Sequence, residues 1–478
     1  MSTFSGLSTA LSSLTAQRQA LEVAGQNIAN ANTAGYTRQR ADLASITALS
    51  APSMFSSAQA AGNGVRVSDI TRMDDTFLDA RLRATTAGAA LHQARAAALG
   101  RLESTVTEPG STGPGAALSA FWAAWQGVSN TPNDPAARKV LLGDAGALVN
   151  QISDGYRSVE TQWAQTRVAA QTMVTDVNTT ATAVAELNEQ IRSVLVSGGS
   201  ANELMDRRSQ LVTSLSGMVG ASARERADGT VDVIVGGNAL VRGSTVNAIT
   251  VRGSFTMAGG IGEPPATPDP VTIGWANGTP LALEGGTLAG HVATLAPGSS
   301  GGLLAGAAAA WNAVARRVHD AVNAAHGGAQ TLAAPPADVA GDFFALDAAR
   351  PAALGLSVAI TDVTRIGAAT PGAGAYDGSV ADQVSQISTR PDSPDNVWRS
   401  FVVDLGVQSR SASQRATVGE TARATAENLQ LSQSSVDLDE ESVNMLAFQR
   451  AYEGAARVLT AIDEMLDVLI NRTGVVGR

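Results

Sequence analysis

Apolar side chains recur at alternating spacings of three and four at both ends of this chain, and no other feature constrains its fold as much. Near the N-terminus Leu7, Leu11, Leu14, Leu21 and Ile28 occupy a and d positions of a heptad, with Arg18 and Gly25 at the intervening a sites. Near the C-terminus Met445, Phe448, Tyr452, Ala455, Leu459, Ile462, Leu466 and Leu469 keep the spacing without a break. That run opens on a capping-box signal, Asp437 as N-cap and Glu440 at N3, and Glu441 adds charge suited to a helix N-terminus. The two weak a sites leave the first helix short of apolar surface. It needs a partner, either the other end of the chain or a neighbouring subunit.

The 478 residues between and including these ends suggest about three domains, at roughly 100–200 residues each. From Leu82 to Val219 the reading is helical, with stripes such as Leu141, Leu148, Ile152, Val159 and Trp163, then Met173, Val177, Val184, Leu187, Ile191 and Val194. Gly198–Gly199 breaks this run before a further helix carrying Leu204, Leu211, Leu215 and Val219. After Gly220 the period changes to two, with Val231, Val233 and Val235 alternating ahead of a Gly–Gly turn. Helix returns over Leu303–His326, residues 331–389 (with Pro335–Pro336 and Pro371) read as β-rich or loop-rich, and helix resumes from Ser393. The fold class that follows is mainly α with β-rich insertions, an α+β multidomain chain. It divides into a terminal coiled-coil domain (1–36 with 437–478), a helical rod (37–220 with 303–330 and 390–436), a β-rich insertion (221–302) and a second β- or loop-rich insertion (331–389).

Composition narrows the function. Acidic residues outnumber basic ones, 43 to 33, which argues against a nucleic-acid partner. The absence of cysteine removes disulfides, thiolate metal sites and cysteine nucleophiles. No run approaches the roughly 18 apolar residues of a spanning helix, so no membrane insertion is expected. The N-terminal segment lacks the basic start and apolar core of a cleaved secretory signal.

Sites of chemistry are scarce. His92, His291, His319 and His326 include no pair at helical metal-ligand spacing. GSSGG at Gly298–Gly302 matches the nucleophile-elbow pattern around Ser300, but Leu295–Ala296–Pro297 before it reads as a connector and not a buried strand. Lys139, the only lysine, follows Arg138 and not glycine, which excludes a Walker A loop. Asp437, Asp439 and Glu441 suit a helix cap better than a calcium loop, since the glycine turn and distal glutamate are missing. No catalytic residue, metal or cofactor is expected.

The most informative segment is NIANANTAGYTRQR, Asn27–Arg40. Physically it is a helix terminator: Asn30 tolerates left-handed backbone angles, Gly35 takes them freely, and Tyr36 can anchor the extended chain that follows. As a string, and through Asn27, Asn30, Thr33, Gly35, Tyr36, Thr37 and Arg38 in particular, it resembles the N-terminal signature of the axial proteins of the bacterial flagellum. Gly64–Ala84, Asn202–Gly220 with its following strand, and Val436–Asn471 are similar to further blocks of the hook-associated branch of that family.

The resemblance implies a structural protein, not an enzyme, exported through the flagellar type III apparatus. It implies an extracellular place at the distal end of the hook, with hook protein below, a second junction protein above and self-association in a ring. Terminal helices that fold into a coiled-coil tube on assembly and an export chaperone on the C-terminal helix belong to the same expectation. Under it the two heptad stripes are the assembly interface. A hook or distal rod protein is the nearest alternative, and an exported cell-wall-acting enzyme a more remote one.

Overall fold

The structure, a computed structural model, describes residues 3–47, 62–263, 266–333 and 338–472. Pro335–Pro336 lies outside the described residues.

The chain opens with α1 (Thr3–Asn30), then a hairpin of β1 (Gln39–Ser45) and β2 (Val65–Arg72), paired antiparallel from Gln39↔Arg72 to Ser45↔Val65. Four helices follow: α2 (Thr76–Val106), α3 (Pro114–Asn130), α4 (Pro135–Val196) and α5 (Asn202–Val219). Both stripes read between Leu141 and Val194 lie on α4, a single helix of 62 residues. It starts at Asp134, whose carboxylate accepts the Ala136 N–H, and Pro135 takes the first helical position, where a missing N–H costs nothing. Gly198, at φ 78°, closes it where the sequence places the break.

The β insertion is a four-stranded antiparallel meander of β3 (Ser222–Glu225), β4 (Val231–Val235), β5 (Asn238–Arg242) and β6 (Thr245–Val246). A two-stranded pair follows, β7 (Ile249–Arg252) with β8 (Thr272–Trp275), and α6 (Met257–Ile261) lies between its strands. Val231, Val233 and Val235 point inward, as their alternation predicts. Next come α7 (Gly286–Leu295) and α8 (Leu303–His326). The helix α7, not a strand, precedes GSSGG, and Ser300 is exposed, so the geometry of a nucleophile elbow is not there. The second insertion holds β9 (Phe344–Leu346), α9 (Ala352–Gly355), β10 (Leu356–Val358) and α10 (Ser379–Ser385), with β9 and β10 antiparallel. Two long helices finish the chain, α11 (Pro394–Ser434) and α12 (Leu438–Asp467).

One apolar cluster runs through the middle of the molecule and includes side chains of both insertions, from Leu99 on α2 through Val233 and Phe344 to Ala412 on α11. Its aromatic centre stacks Phe121, Trp125, Phe343 and Phe344 with ring centroids 4.9–6.4 Å apart. Trp311 of α8 lies over Trp398 of α11 at 4.4 Å, and any side chain in place of Gly155 on α4 would strike the Trp311 ring. His326 is part of this centre: Nδ1 donates to the Gly341 carbonyl and Nε2 accepts the Gly367 N–H, each at 2.8 Å. Glu263 accepts hydrogen bonds from Tyr156 on α4 and Asn312 on α8, fastening the end of α6 to both helices. Beyond the cluster, α2 and α11 run side by side in opposite directions, tied at one end by Gln430 to Asp79 and at the other by Ser409 to Glu103.

Candidate functional site

The two ends of the chain pack on each other. Asn27 lies against Glu441, and Ile462 packs over Gly6, so α1 and α12 are antiparallel. The faces that meet differ in part from the heptad stripes. On α1 the buried positions are Ala10, Ala16, Ala20, Val23, Ala24 and Asn27. Leu7, Leu14, Leu21 and Ile28 are half-buried and Leu11 is 58% exposed. Small side chains let the helix axis approach the hairpin and α12 closely, and the leucines are left on the flank. On α12 Ala455 and Ile462 are buried, Phe448, Leu459 and Leu466 are half-buried, and Met445 and Tyr452 are exposed, as is Leu469 in the π-helical turn Val468–Arg472 that follows.

Where these helices join the rest of the molecule, the signature residues form a polar hub. Asn27 ends the inward face of α1 and is 1% exposed. Its Oδ1 accepts the Tyr36 hydroxyl at 2.9 Å and the Gln39 N–H at 3.0 Å, while Nδ2 donates to the Gln39 carbonyl at 2.8 Å and to Glu441 at 3.2 Å. Asn30 and Thr33 shape the turn between: the Thr33 N–H and hydroxyl both bond Asn30, and the Tyr36 N–H bonds the Thr33 carbonyl. Gly35 then takes φ 76°, with Gln210 of α5 packed where a side chain would stand. The Gln210 amide holds the Ala34 carbonyl at 2.7 Å.

Two ion-pair groups complete the hub. Arg38 donates Nε to Glu441 at 2.7 Å and Nη1 to Glu440 at 3.0 Å, and its own N–H bonds the Ser434 carbonyl at the end of α11. On the other side Asp206 of α5 accepts the Thr37 N–H at 3.1 Å and Arg72 Nε of β2 at 2.9 Å. Arg72 also pairs with Asp74 at 3.1 Å. Asn202 closes the ring by donating to the Ile70 carbonyl and to Gln39. The capping box read from sequence is therefore half right. Asp437 does accept the Asp439 and Glu440 N–H groups, but Glu440 reaches across to Arg38 and Glu441 is buried beneath it.

The electrostatics follow from burial. Desolvation, reinforced by Asp206, Glu203 and Glu441, pushes the Tyr36 hydroxyl up to about 12, so it stays a donor to Asn27. Burial also raises Asp206 above the usual carboxylate range although Arg72 opposes it. For Arg38 burial works against the charge, but Glu440 and Glu441 outweigh it and hold the guanidinium above its ordinary value. Such an arrangement binds helices to one another. Among the described residues no group of three or more histidines and carboxylates is placed to hold a metal, and no helix is long and apolar enough to cross a membrane.

The segments meeting at the hub are the four that carry the family resemblance, and comparison with known proteins extends it over the whole chain. The profile of the flagellar hook-associated protein FlgK helical domain matches residues 99–344. The flagella basal body rod protein profile matches 7–37, and the flagellar basal body rod FlgEFG protein C-terminal profile matches 430–472. Flagellar hook-associated protein 1 of Bacillus subtilis is 30% identical over an alignment covering 100% of both chains. That of Salmonella typhimurium is 33% identical over 243 residues, 50% of this chain and 43% of the relative. The solved structure of the flagellar hook junction protein FlgK from Burkholderia pseudomallei shares the fold, with a TM-score of 0.62 at 16% identity over 74% of this chain and all of that one.

Proposed function

Because this chain belongs to the family of flagellar hook-associated protein 1, a structural component of the bacterial flagellum at the hook–filament junction, we propose that it is the adaptor that assembles on the distal hook and lets the filament attach. The observation that carries this reading is the surface of the terminal helices. Outside the seam with α1, the helix α12 exposes Val443, Leu446, Val458 and Met465, and α1 exposes Leu11. Large apolar side chains left exposed at helical spacing suit an interaction with a partner helix.

The assembly interface is assigned to Leu7, Leu11, Leu14, Leu21 and Ile28 on α1, to Met445, Phe448, Tyr452, Leu459, Ile462 and Leu466 on α12, and to Leu469 just beyond it. The terminal pair (1–36 with 437–478) forms the axial part, residues 37–220, 303–330 and 390–436 the rod, and 221–302 with 331–389 the outer parts. Subunits associate in a ring with hook protein below and a second junction protein above, after secretion through the flagellar type III apparatus. In the cytoplasm the exposed face of α12 is covered by an export chaperone. Its anchors are large apolar residues at helical spacing, which suit a groove-binding partner.

Two experiments test the proposal. A strain lacking the protein should make hooks without filaments; hookless cells would assign it to the hook or rod. Removing Asp437–Arg478 should abolish the chaperone complex in a pull-down, and an undiminished complex would place the chaperone elsewhere.

A further inference from the structure

The described residues form four separate β-sheets, and each is held to a helix by one asparagine in the same way. Asn27 of α1 meets Gln39, the first residue of β1, with Oδ1 accepting its N–H and Nδ2 donating to its carbonyl. Asn178 of α4 does the same to Ile249, the first residue of β7, at 2.9 Å in both directions. Ten residues further along α4, Asn188 takes Val231, the first residue of β4, at 3.0 and 2.8 Å. Asn323 of α8 takes Phe344, the first residue of β9, at 3.0 and 2.8 Å.

A side-chain amide has one N–H cis to its oxygen, so its donor and acceptor point the same way, as the N–H and C=O of one strand residue do. On an antiparallel strand the N–H and C=O of one residue point to the same side, so an amide placed there occupies the position of a further strand. We infer that Asn27, Asn178, Asn188 and Asn323 are positioning residues, each standing in for a neighbouring strand and thereby fixing where one β-sheet begins on the helical frame. The device answers two needs at once. It satisfies backbone groups that would otherwise lie unpaired against a helix, and at β1, β7 and β9, which are strands of two-stranded sheets, it also blocks an edge from pairing with another chain.

It also fixes register, because only one residue of each strand can face the amide. Apolar packing alone would tolerate a shift of two residues, which keeps the same face inward. Asn188, like Asn27, makes four hydrogen bonds. Its Nδ2 also donates to the Gly243 carbonyl at 2.7 Å, and Arg208 of α5 donates to its Oδ1 at 3.0 Å, so two helices, the start of β4 and the turn between β5 and β6 converge on one amide.

The test uses the full chain and hydrogen exchange read by mass spectrometry on peptides covering each strand. Asn178→Ala should speed exchange over β7 by about tenfold or more, and Asn323→Ala should do so over β9, each leaving the other sheets as they are. Asn130→Ala, at the exposed end of α3, is the control and should change none of them. Asn178→Asp keeps the acceptor for the Ile249 N–H but sets a carboxylate against the Ile249 carbonyl. Its β7 protection factor should fall at pH 7 and recover as the carboxyl protonates near pH 4 and regains a donor. This isosteric variant carries the test if the alanine variant does not fold. Unchanged protection of β7 in Asn178→Asp at pH 7, or equal loss in all four sheets, would overturn the inference.

Discussion

Arg38→Ala removes the cation paired with Glu441. That carboxylate is 2% exposed and, among the described residues, accepts from Arg38 and from the Asn27 amide. Removing one member of a buried pair costs about 3–5 kcal/mol, because the other charge stays desolvated. The Arg38 side chain is itself 19% exposed and its second partner, Glu440, is mostly in water, so the lower end applies and that second pair adds less than about 1 kcal/mol. The expected loss is about 3 kcal/mol, confined to the packing of α1 and α12 on the hairpin. Amide exchange in both terminal helices should accelerate on the order of a hundredfold, while peptides from α4 and α8 keep their rates. Adding Glu441→Gln to Arg38→Ala removes the stranded charge, keeps an acceptor for Asn27, and should restore more than half of the lost protection. If the single variant leaves terminal exchange unchanged, or the double variant is as damaged as the sum of the two singles, the hub does not hold the helices together.

Other perturbations probe the rest of the molecule. Ile462→Asp places a carboxylate in the α1–α12 seam and should cost several kcal/mol there, yielding exported protein with a normal core melting transition and no motility on soft agar; a swimming strain would remove the seam from the assembly account. Gly35→Ala forces a side chain onto Gln210 at a left-handed backbone angle and should cost about 1–3 kcal/mol, with Gln210→Ala relieving the steric part; an additive loss in a denaturation cycle would contradict that contact. Burial chiefly, and Arg138 in addition, lowers His326 from 6.5 to about 4. Its folded form resists protonation, so its stability contribution is complete above pH 6.5 and is lost as pH falls from there to 4, by about 3 kcal/mol in all. His326→Gln should flatten that part of the urea-midpoint profile, and an identical slope in both proteins would show the loss arises elsewhere.

Local patterns were legible and contacts distant in sequence were not. The limits of α8 follow from the apolar run between Gly302 and Gly327, and the strand at Val231–Val235 follows from its alternation. The stripes on α4 predict most of its inner face, since Leu141, Leu148, Ile152 and Trp163 are all fully buried, while Met173 and Val194 are half-buried. On α1 the same reasoning picks the leucines, whereas the inner face is alanine. A hydrophobicity pattern ranks leucine above alanine, but close approach of helices and strands selects the smaller side chain. Glu440 and Glu441 show a different failure. A capping signal is read within four residues, but their partner Arg38 lies about four hundred residues away in sequence. The resemblance supplied Asn27, Tyr36 and Arg38 as a string; their common role at one hub becomes visible only when α5, α11 and α12 converge on them. Nothing in the sequence distinguishes Asn178, Asn188 and Asn323 from the other asparagines, since each acts through backbone groups at least 20 residues away.

The central claim is a place in an assembly, and immunogold labelling of intact flagella tests it most directly. Antibody raised against the exposed middle of the protein should leave gold in a narrow band where the hook meets the filament on each flagellum. Gold spread along the filament, confined to the basal body, or missing from flagella altogether would contradict the assignment.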